Sequence, residues 1–154
     1  MKKYYGLFLL IICLFMTGCK TEETHEVATL ELFNNVFTEA GFTVSDNISS
    51  YDGEERITGS MIAKLDNGAT VEMVTYDSSD SAKLAQENHI DNFNLLKSTG
   101  NIINKNEGTN YYQYIMISNG YYMISSRIEN TLVFSKSLLE NKDLIEGTIK
   151  DIGY

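Results

Sequence analysis

The sequence is poor in cysteine and contains no proline and no tryptophan. Its two cysteines, Cys13 and Cys19, both lie near the start, so residues 20–154 carry no thiol. A disulfide framework, a cysteine nucleophile and a cysteine-ligated zinc site are therefore excluded from that part of the chain. The stability of any domain formed there must come from its hydrophobic core.

Basic residues are also scarce. The chain has 12 Lys and Arg against 21 Asp and Glu, which gives a formal net charge of −9. Such a surface repels nucleic acid and anionic lipid headgroups, so we expect no nucleic-acid partner.

Sequence motifs of enzymes are missing as well. There is no Gly-x-Ser-x-Gly elbow, no Ser-x-x-Lys pair and no glycine-rich phosphate loop. Glu72 and the acids of the segment 45–55 could contribute a carboxylate pair, but nothing in the sequence places two of them at the separation that glycoside hydrolysis needs. We predict no catalytic residue, no enzymatic activity and no cofactor.

The first 18 residues have the features of a secretory signal peptide. Lys2 and Lys3 precede an apolar run, residues 7–16, that is too short to span a bilayer. The run ends in Met-Thr-Gly-Cys at 16–19, which resembles the lipobox of bacterial lipoproteins, with methionine where that pattern prefers leucine. The resemblance implies cleavage before Cys19, diacylation of Cys19, and anchoring by two acyl chains at the extracytoplasmic face of the cell membrane. The alternative is an ordinary cleaved signal in which Cys19 is incidental.

The remaining chain divides into an acidic tether, residues 19–26, and a single domain, residues 27–154. Cleavage leaves 154 − 18 = 136 residues, enough for one domain that buries a core without disulfides. Because Lys2 and Lys3 are removed, the mature net charge becomes 10 − 21 = −11.

Three segments have helical periodicity. Residues 25–40 form an amphipathic pattern that Thr24 can cap and Gly41 can end. A second helix is predicted with Ser78 or Ser79 as its N-cap and with its apolar stripe at Ala82, Ala85, His89, Phe93 and Leu96. The third is predicted from Ser137 to the C-terminus.

Two Asn-Gly pairs predict β-hairpins. Asn67-Gly68 joins the two halves of the segment 56–76, and a two-residue loop there would place Met61 opposite Val74 and Ile62 opposite Met73. Asn119-Gly120 joins the two halves of the segment 110–127. Further strands are predicted at 101–106 and, after a bend at Glu129-Asn130, at 131–135. The predicted fold is α+β, an antiparallel sheet of about five to six strands with helices on one face, in the order α-β-β-α-β-β-β(-β)-α.

Two parts of the sequence contain side chains of the kinds that bind metal ions. The polar segment 45–55 holds Asp46, Asp52, Glu54 and Glu55, but their spacing does not fit an EF-hand. His89 lies on an apolar stripe, which is typical of a histidine packed at the edge of a core. We predict no metal site.

The second hairpin separates its side chains into two faces. An apolar face, predicted to be core, pairs Ile117 with Tyr122, Ile115 with Ile124, Gln113 with Ser126, and Tyr111 with Ile128. The other face is predicted to be solvent-accessible and is a candidate binding surface, since Tyr, Met and Arg are enriched at protein interfaces. It contains Tyr112, Tyr114, Met116, Tyr121, Met123 and Arg127. The alternative interpretation is a purely structural face, with Arg127 over the Tyr112 ring as a cation–π pair.

The C-terminal third, with Arg127, Asn130-Thr131-Leu132 and the final Gly153-Tyr154, resembles the ending of small uncharacterised lipoproteins of low-GC Gram-positive bacteria. The resemblance implies an envelope location and a single α+β domain, and no activity. Our first functional hypothesis is a non-enzymatic accessory lipoprotein whose tyrosine and methionine face contacts an envelope protein. The second is a module that binds a small molecule or glycan, and the third, which the missing enzyme motifs disfavour, is an envelope hydrolase. A walled cavity with convergent polar groups would favour the second.

Overall fold

The computed structural model describes residues 24–154, so the predicted signal peptide and Cys19 lie outside the described residues. Residues 24–154 form one antiparallel sheet and three α-helices, which confirms the α+β class. The elements are α1 (Leu30–Glu39), β1 (Thr43–Asp46), β2 (Ile57–Lys64), β3 (Thr70–Tyr76), α2 (Ser79–Asn94), β4 (Ile102–Glu107), β5 (Tyr111–Ser118), β6 (Tyr121–Ile128), β7 (Thr131–Leu138) and α3 (Lys142–Asp151). Within residues 24–154, no helix is long and apolar enough to cross a membrane.

The sheet has seven strands in the spatial order β1-β2-β3-β7-β6-β5-β4, which is more than the five to six predicted. The additional strand is β1, which pairs with β2 from Thr43 opposite Lys64 to Asp46 opposite Met61. Its end lies in the segment 45–55 that was predicted to be loop. After β1 the chain makes a 3₁₀ turn, Ile48–Tyr51.

Helix α1 starts later than predicted. The Thr29 side chain, not that of Thr24, caps the helix by accepting a hydrogen bond from the Leu32 N–H at 3.1 Å. The backbone of His25 cannot join the helix, because its N–H donates to Asn110 Oδ1 and its carbonyl accepts from Asn110 Nδ2. Gly41 follows the helix at φ +91°, the left-handed conformation predicted there.

The first hairpin has a different register from the one predicted. Met61 lies opposite Met73, and Ile62 lies opposite Glu72, so the predicted pairs were wrong by one residue. The cause is a three-residue loop: Leu65 and Ala69 close the hairpin, and only Gly68, at φ +86°, has a positive φ. This is the common alternative in which a type I turn is followed by a left-handed glycine.

The second hairpin has the predicted register. Asn119 and Gly120 both have positive φ, 53° and 79°, as the predicted two-residue loop requires. Tyr112 therefore lies opposite Arg127, and Met116 lies opposite Met123. After the bend at Glu129, β7 pairs back on β6 as predicted, but it continues to Leu138 opposite Tyr121.

The third helix accordingly begins at Lys142, not at Ser137. Ser137 is still within β7, opposite Tyr122, and a 3₁₀ turn, Leu139–Asn141, separates the strand from α3.

The helices cover both faces of the sheet, whereas we predicted them on one. Helices α1 and α3 pack on one face, where Phe33, Phe37, Ile145 and Ile149 join the main core. Helix α2 crosses the opposite face, with Ala82 against Val74 and Leu132 at one end and Phe93 against Met116 and Met123 at the other.

Candidate functional site

The predicted binding surface lies largely beneath helix α2. Its residues do share one face, as predicted, but Met116 and Met123 are 0 % exposed and Tyr114 is 2 % exposed. These three side chains pack against Phe93 of α2, and the Tyr114 hydroxyl donates to Asn94 Oδ1 at 2.9 Å. The expectation that this face is exposed was therefore wrong for its centre.

Three of the six predicted residues remain accessible at the edges of that face. Tyr121 is exposed, and the ammonium nitrogen of Lys136 lies 5.2 Å from the centre of the Tyr121 ring. Tyr112 and Arg127 are half-buried and line a cavity of about 270 Å³ beside α2, which we call the α2 cavity.

Arg127 in this cavity is held by a buried glutamine, and not by the Tyr112 ring as in the alternative interpretation of this face. Its Nε donates to Gln86 Oε1 at 3.3 Å, and its Nη1 donates to the Glu129 carbonyl at 3.2 Å. Gln86 is only 2 % exposed, and its Nε2 donates to the carbonyl oxygens of Tyr112 and Ser125. The glutamine is therefore fixed by two strands, and it fixes the direction of the Arg127 side chain.

A larger cavity lies on the opposite face of the sheet, between strands β4 to β6 and helix α3. We call it the α3 cleft, and its volume is about 350 Å³. Ile124, Ile128 and Ile149 give it apolar surface. The polar and aromatic lining residues are His25, Asn106, Tyr111, Gln113, Ser126, Glu146, Lys150 and Tyr154.

The floor of the α3 cleft contains a row of uncharged polar side chains. Asn106, Gln113 and Ser126 lie side by side on β4, β5 and β6, since Asn106 pairs with Gln113 and Gln113 pairs with Ser126. Among the described residues, none of these three side chains has a hydrogen-bond partner, although Ser126 is only 2 % exposed. Because Asn106 is exposed and Gln113 is half-buried, their side-chain amides, together with the Ser126 hydroxyl, offer donors and acceptors to a molecule in the cleft.

One end of the α3 cleft is an aromatic wall. The His25 and Tyr111 ring centres are 4.0 Å apart, and His25 Nδ1–H donates to the Gly153 carbonyl at 2.9 Å. Tyr154 completes the wall, with its hydroxyl bonded to the Thr131 hydroxyl. Burial raises the pKa of Tyr154 to about 12, so its ring carries a neutral hydroxyl at physiological pH. His25 belongs to the predicted tether, and these contacts fix that part of it to the domain.

The rim of the α3 cleft carries two charges of opposite sign on helix α3. Glu146 pairs with Lys142 one turn earlier, with 2.7 Å between nitrogen and oxygen, so its charge is already compensated. Lys150, one turn later, has no carboxylate within ion-pair distance among the described residues.

Glu72 and His89, both considered in the sequence, lie away from the α3 cleft. One oxygen of Glu72 accepts hydrogen bonds from Asn47 Nδ2, the Tyr51 hydroxyl and the Ser60 hydroxyl at 2.6 to 2.8 Å. The bonds from Asn47 and Tyr51 attach the chain after β1 to strand β3, and the bond from Ser60 joins β2 to β3. The ring centres of His89 and Phe134 are 3.9 Å apart, and burial lowers the pKa of the His89 imidazole. Among residues 24–154, no three His, Cys, Asp or Glu side chains are grouped so that they could hold a metal ion.

Gln113 and Ser126 were predicted to belong to the core, and the cleft that they line was not predicted. The sequence did contain a sign of the cleft. These two polar residues are cross-strand partners on a side of the sheet that is otherwise apolar or aromatic. Tyr111, also assigned to the core, is buried as predicted and lines the cleft as well.

Comparison of the chain with protein-family models, with curated proteins and with solved structures finds no match.

Proposed function

We propose that this protein is a lipid-anchored extracytoplasmic binding module. It binds a small saccharide in the α3 cleft and does not catalyse a reaction. The observation that carries the proposal is the row Asn106, Gln113 and Ser126, whose side chains lack protein partners in the floor of a walled cavity. Amides and hydroxyls both donate and accept hydrogen bonds, as recognition of neighbouring sugar hydroxyls requires.

The other surfaces of the α3 cleft suit the same ligand. A sugar ring presents polar edges and an apolar C–H face. The isoleucines Ile124, Ile128 and Ile149 and the ring of Tyr111 can cover that apolar face, while the polar row meets the hydroxyls. A volume of about 350 Å³ lies within the range of small-molecule sites in proteins.

The first functional hypothesis, contact with an envelope protein through the tyrosine and methionine face, loses its main support. Met116 and Met123 are covered by α2 and cannot supply a flat apolar surface without displacement of that helix. The walled cavity with convergent polar groups supports the second hypothesis.

Substitution of Gln113 tests the binding site. The full chain in detergent micelles would be titrated with a panel of mono- and disaccharides, and binding would be followed by saturation-transfer difference NMR. We expect Gln113→Leu to weaken the best ligand about tenfold, because a hydrogen bond to a ligand hydroxyl is lost and an amide is replaced by an apolar group.

The matched control is Asn92→Leu, which replaces an exposed amide on α2. It should leave the affinity unchanged. Failure of every saccharide to bind, or equal affinity of Gln113→Leu and the unmodified chain, would contradict the proposal.

Substitution of Cys19 tests the anchor. Because two acyl chains on Cys19 would hold the protein stably in the membrane, we expect Cys19→Ala to move it from the membrane fraction to the soluble fraction after cell disruption. Cys13→Ala, a change within the predicted signal peptide, is the control and should leave the protein membrane-bound. Retention of the Cys19→Ala protein in the membrane fraction would exclude lipid attachment at this residue as the anchor.

A further inference from the structure

The α2 cavity is a second concave site, on the opposite face of the sheet from the α3 cleft. One wall is a row of side chains across three strands, since Glu107 pairs with Tyr112 and Tyr112 pairs with Arg127. Neighbouring strands are about 4.8 Å apart, so the backbones of Glu107 and Arg127 are about 10 Å apart. The other wall is helix α2, which contributes Lys83, Gln86, Glu87 and Ile90.

The charges around this cavity are balanced but unpaired. Two cationic side chains, Lys83 and Arg127, and two anionic ones, Glu87 and Glu107, line the same space. None of the four makes an ion pair with a described residue, although Lys83 and Glu87 are one helical turn apart. The cavity thus presents both signs of charge to whatever occupies it.

Arg127 is the best-positioned of these charges. Gln86 and the Glu129 carbonyl accept two of its N–H groups, and both contacts hold the guanidinium from its protein side. A guanidinium has five N–H donors, so three remain without a partner among the described residues. Such a group, held in one direction by a buried amide, is suited to bind a carboxylate through two hydrogen bonds.

We propose that the α2 cavity binds an α-amino acid in its zwitterionic form. The carboxylate pairs with Arg127, the ammonium group pairs with Glu107 or Glu87, and the amino-acid side chain lies against Ile90 and the ring of Tyr112. A simple anion would be repelled by the two glutamates, and a simple cation would be repelled by Lys83 and Arg127. Only a ligand with both charges finds a partner for each.

The test compares an amino acid with analogues that lack one charge. The full chain in detergent micelles would first be titrated calorimetrically with each of the twenty amino acids. The best binder would then be compared with its N-acetyl derivative, which lacks the ammonium group, and with its carboxamide, which lacks the carboxylate. We expect each derivative to bind at least about tenfold more weakly than the amino acid, because one charge-assisted hydrogen bond is lost.

Variants assign these effects to residues. Arg127→Gln should weaken the amino acid and leave the already weak carboxamide unchanged, since the carboxamide has no carboxylate to lose. Because either glutamate can pair with the ammonium group, Glu87→Gln and Glu107→Gln are combined in one variant, and both residues are exposed. This double variant should weaken the amino acid and leave the already weak N-acetyl derivative unchanged, and it keeps the test decisive if Arg127→Gln does not fold. The matched control is Arg56→Gln, which removes the same charge at an exposed site outside the cavity.

The outcomes separate this site from the α3 cleft. Gln113→Leu should leave amino-acid binding intact, because Gln113 lies on the other face of the sheet. Absence of binding by all twenty amino acids, or an N-acetyl derivative that binds as tightly as its parent, would overturn the proposal. Neither result would bear on saccharide binding in the α3 cleft.

Discussion

Replacement of Met123 by lysine is expected to destabilise the fold by more than about 3 kcal/mol, because it places an unpaired charge in a desolvated site. Met123 is 0 % exposed and packs with Met116 and Phe93 beneath helix α2. The cross-strand neighbours of Met123 are Met116 and Lys136, and neither has a carboxylate that could pair with the new lysine. The measurement is urea unfolding of the full chain, monitored by far-UV circular dichroism.

Leu95→Lys is the matched control, since it makes the same kind of change at a side chain that is 82 % exposed. It should change stability by no more than about 0.5 kcal/mol. The comparison also decides between the two interpretations of the tyrosine and methionine face. A stable Met123→Lys protein would mean that α2 does not cover this face in solution, and the face would again be a candidate binding surface.

Replacement of Phe37 by alanine is expected to cost about 3 to 5 kcal/mol, the usual range for loss of a fully buried aromatic side chain. The Phe37 ring stacks on Phe33 with 4.2 Å between ring centres and meets Phe42 edge-on at 5.1 Å. These three rings fasten helix α1 to the sheet. Because small domains are stable by only about 5 to 15 kcal/mol in total, this single truncation removes a large share of the stability.

Leu32→Ala, in the same helix but 41 % exposed, should cost less than about 1 kcal/mol and serves as the control. Equal effects of the two substitutions in urea unfolding would show that α1 is not packed through Phe37. Phe37 does not line the α3 cleft, so saccharide binding by the folded fraction of Phe37→Ala should persist.

The two Asn-Gly pairs show how far local sequence determines this fold. At Asn119-Gly120 both residues take positive φ, and the register follows from the turn alone. At Asn67-Gly68 only the glycine has a positive φ. The Asn67 side chain instead accepts a hydrogen bond from the Ala69 N–H and donates one to Asn141 Oδ1. Asn141 is 74 residues away in the chain, so a local pattern could not reveal this second partner.

The candidate site was hidden for a similar reason. Alternation along β5 and β6 assigned each side chain to the correct face, and Met116 and Met123 were placed together as predicted. Alternation does not say which face a helix covers, and here α2 crosses the face that we expected to be exposed. The converse holds for Gln113 and Ser126, which border a cleft because α3 leaves part of the other face open.

The contacts of His25 set a limit on how far the domain can stand from its proposed anchor. His25 is six positions after Cys19, and a fully extended chain spans at most about 3.6 Å per residue, or about 22 Å in all. With lipid on Cys19, the side of the domain that holds Asn110 and Gly153 must therefore stay close to the bilayer surface. His25 also lines the α3 cleft, so the aromatic end of the cleft would lie in the layer of solvent next to the lipid headgroups and not in bulk solvent.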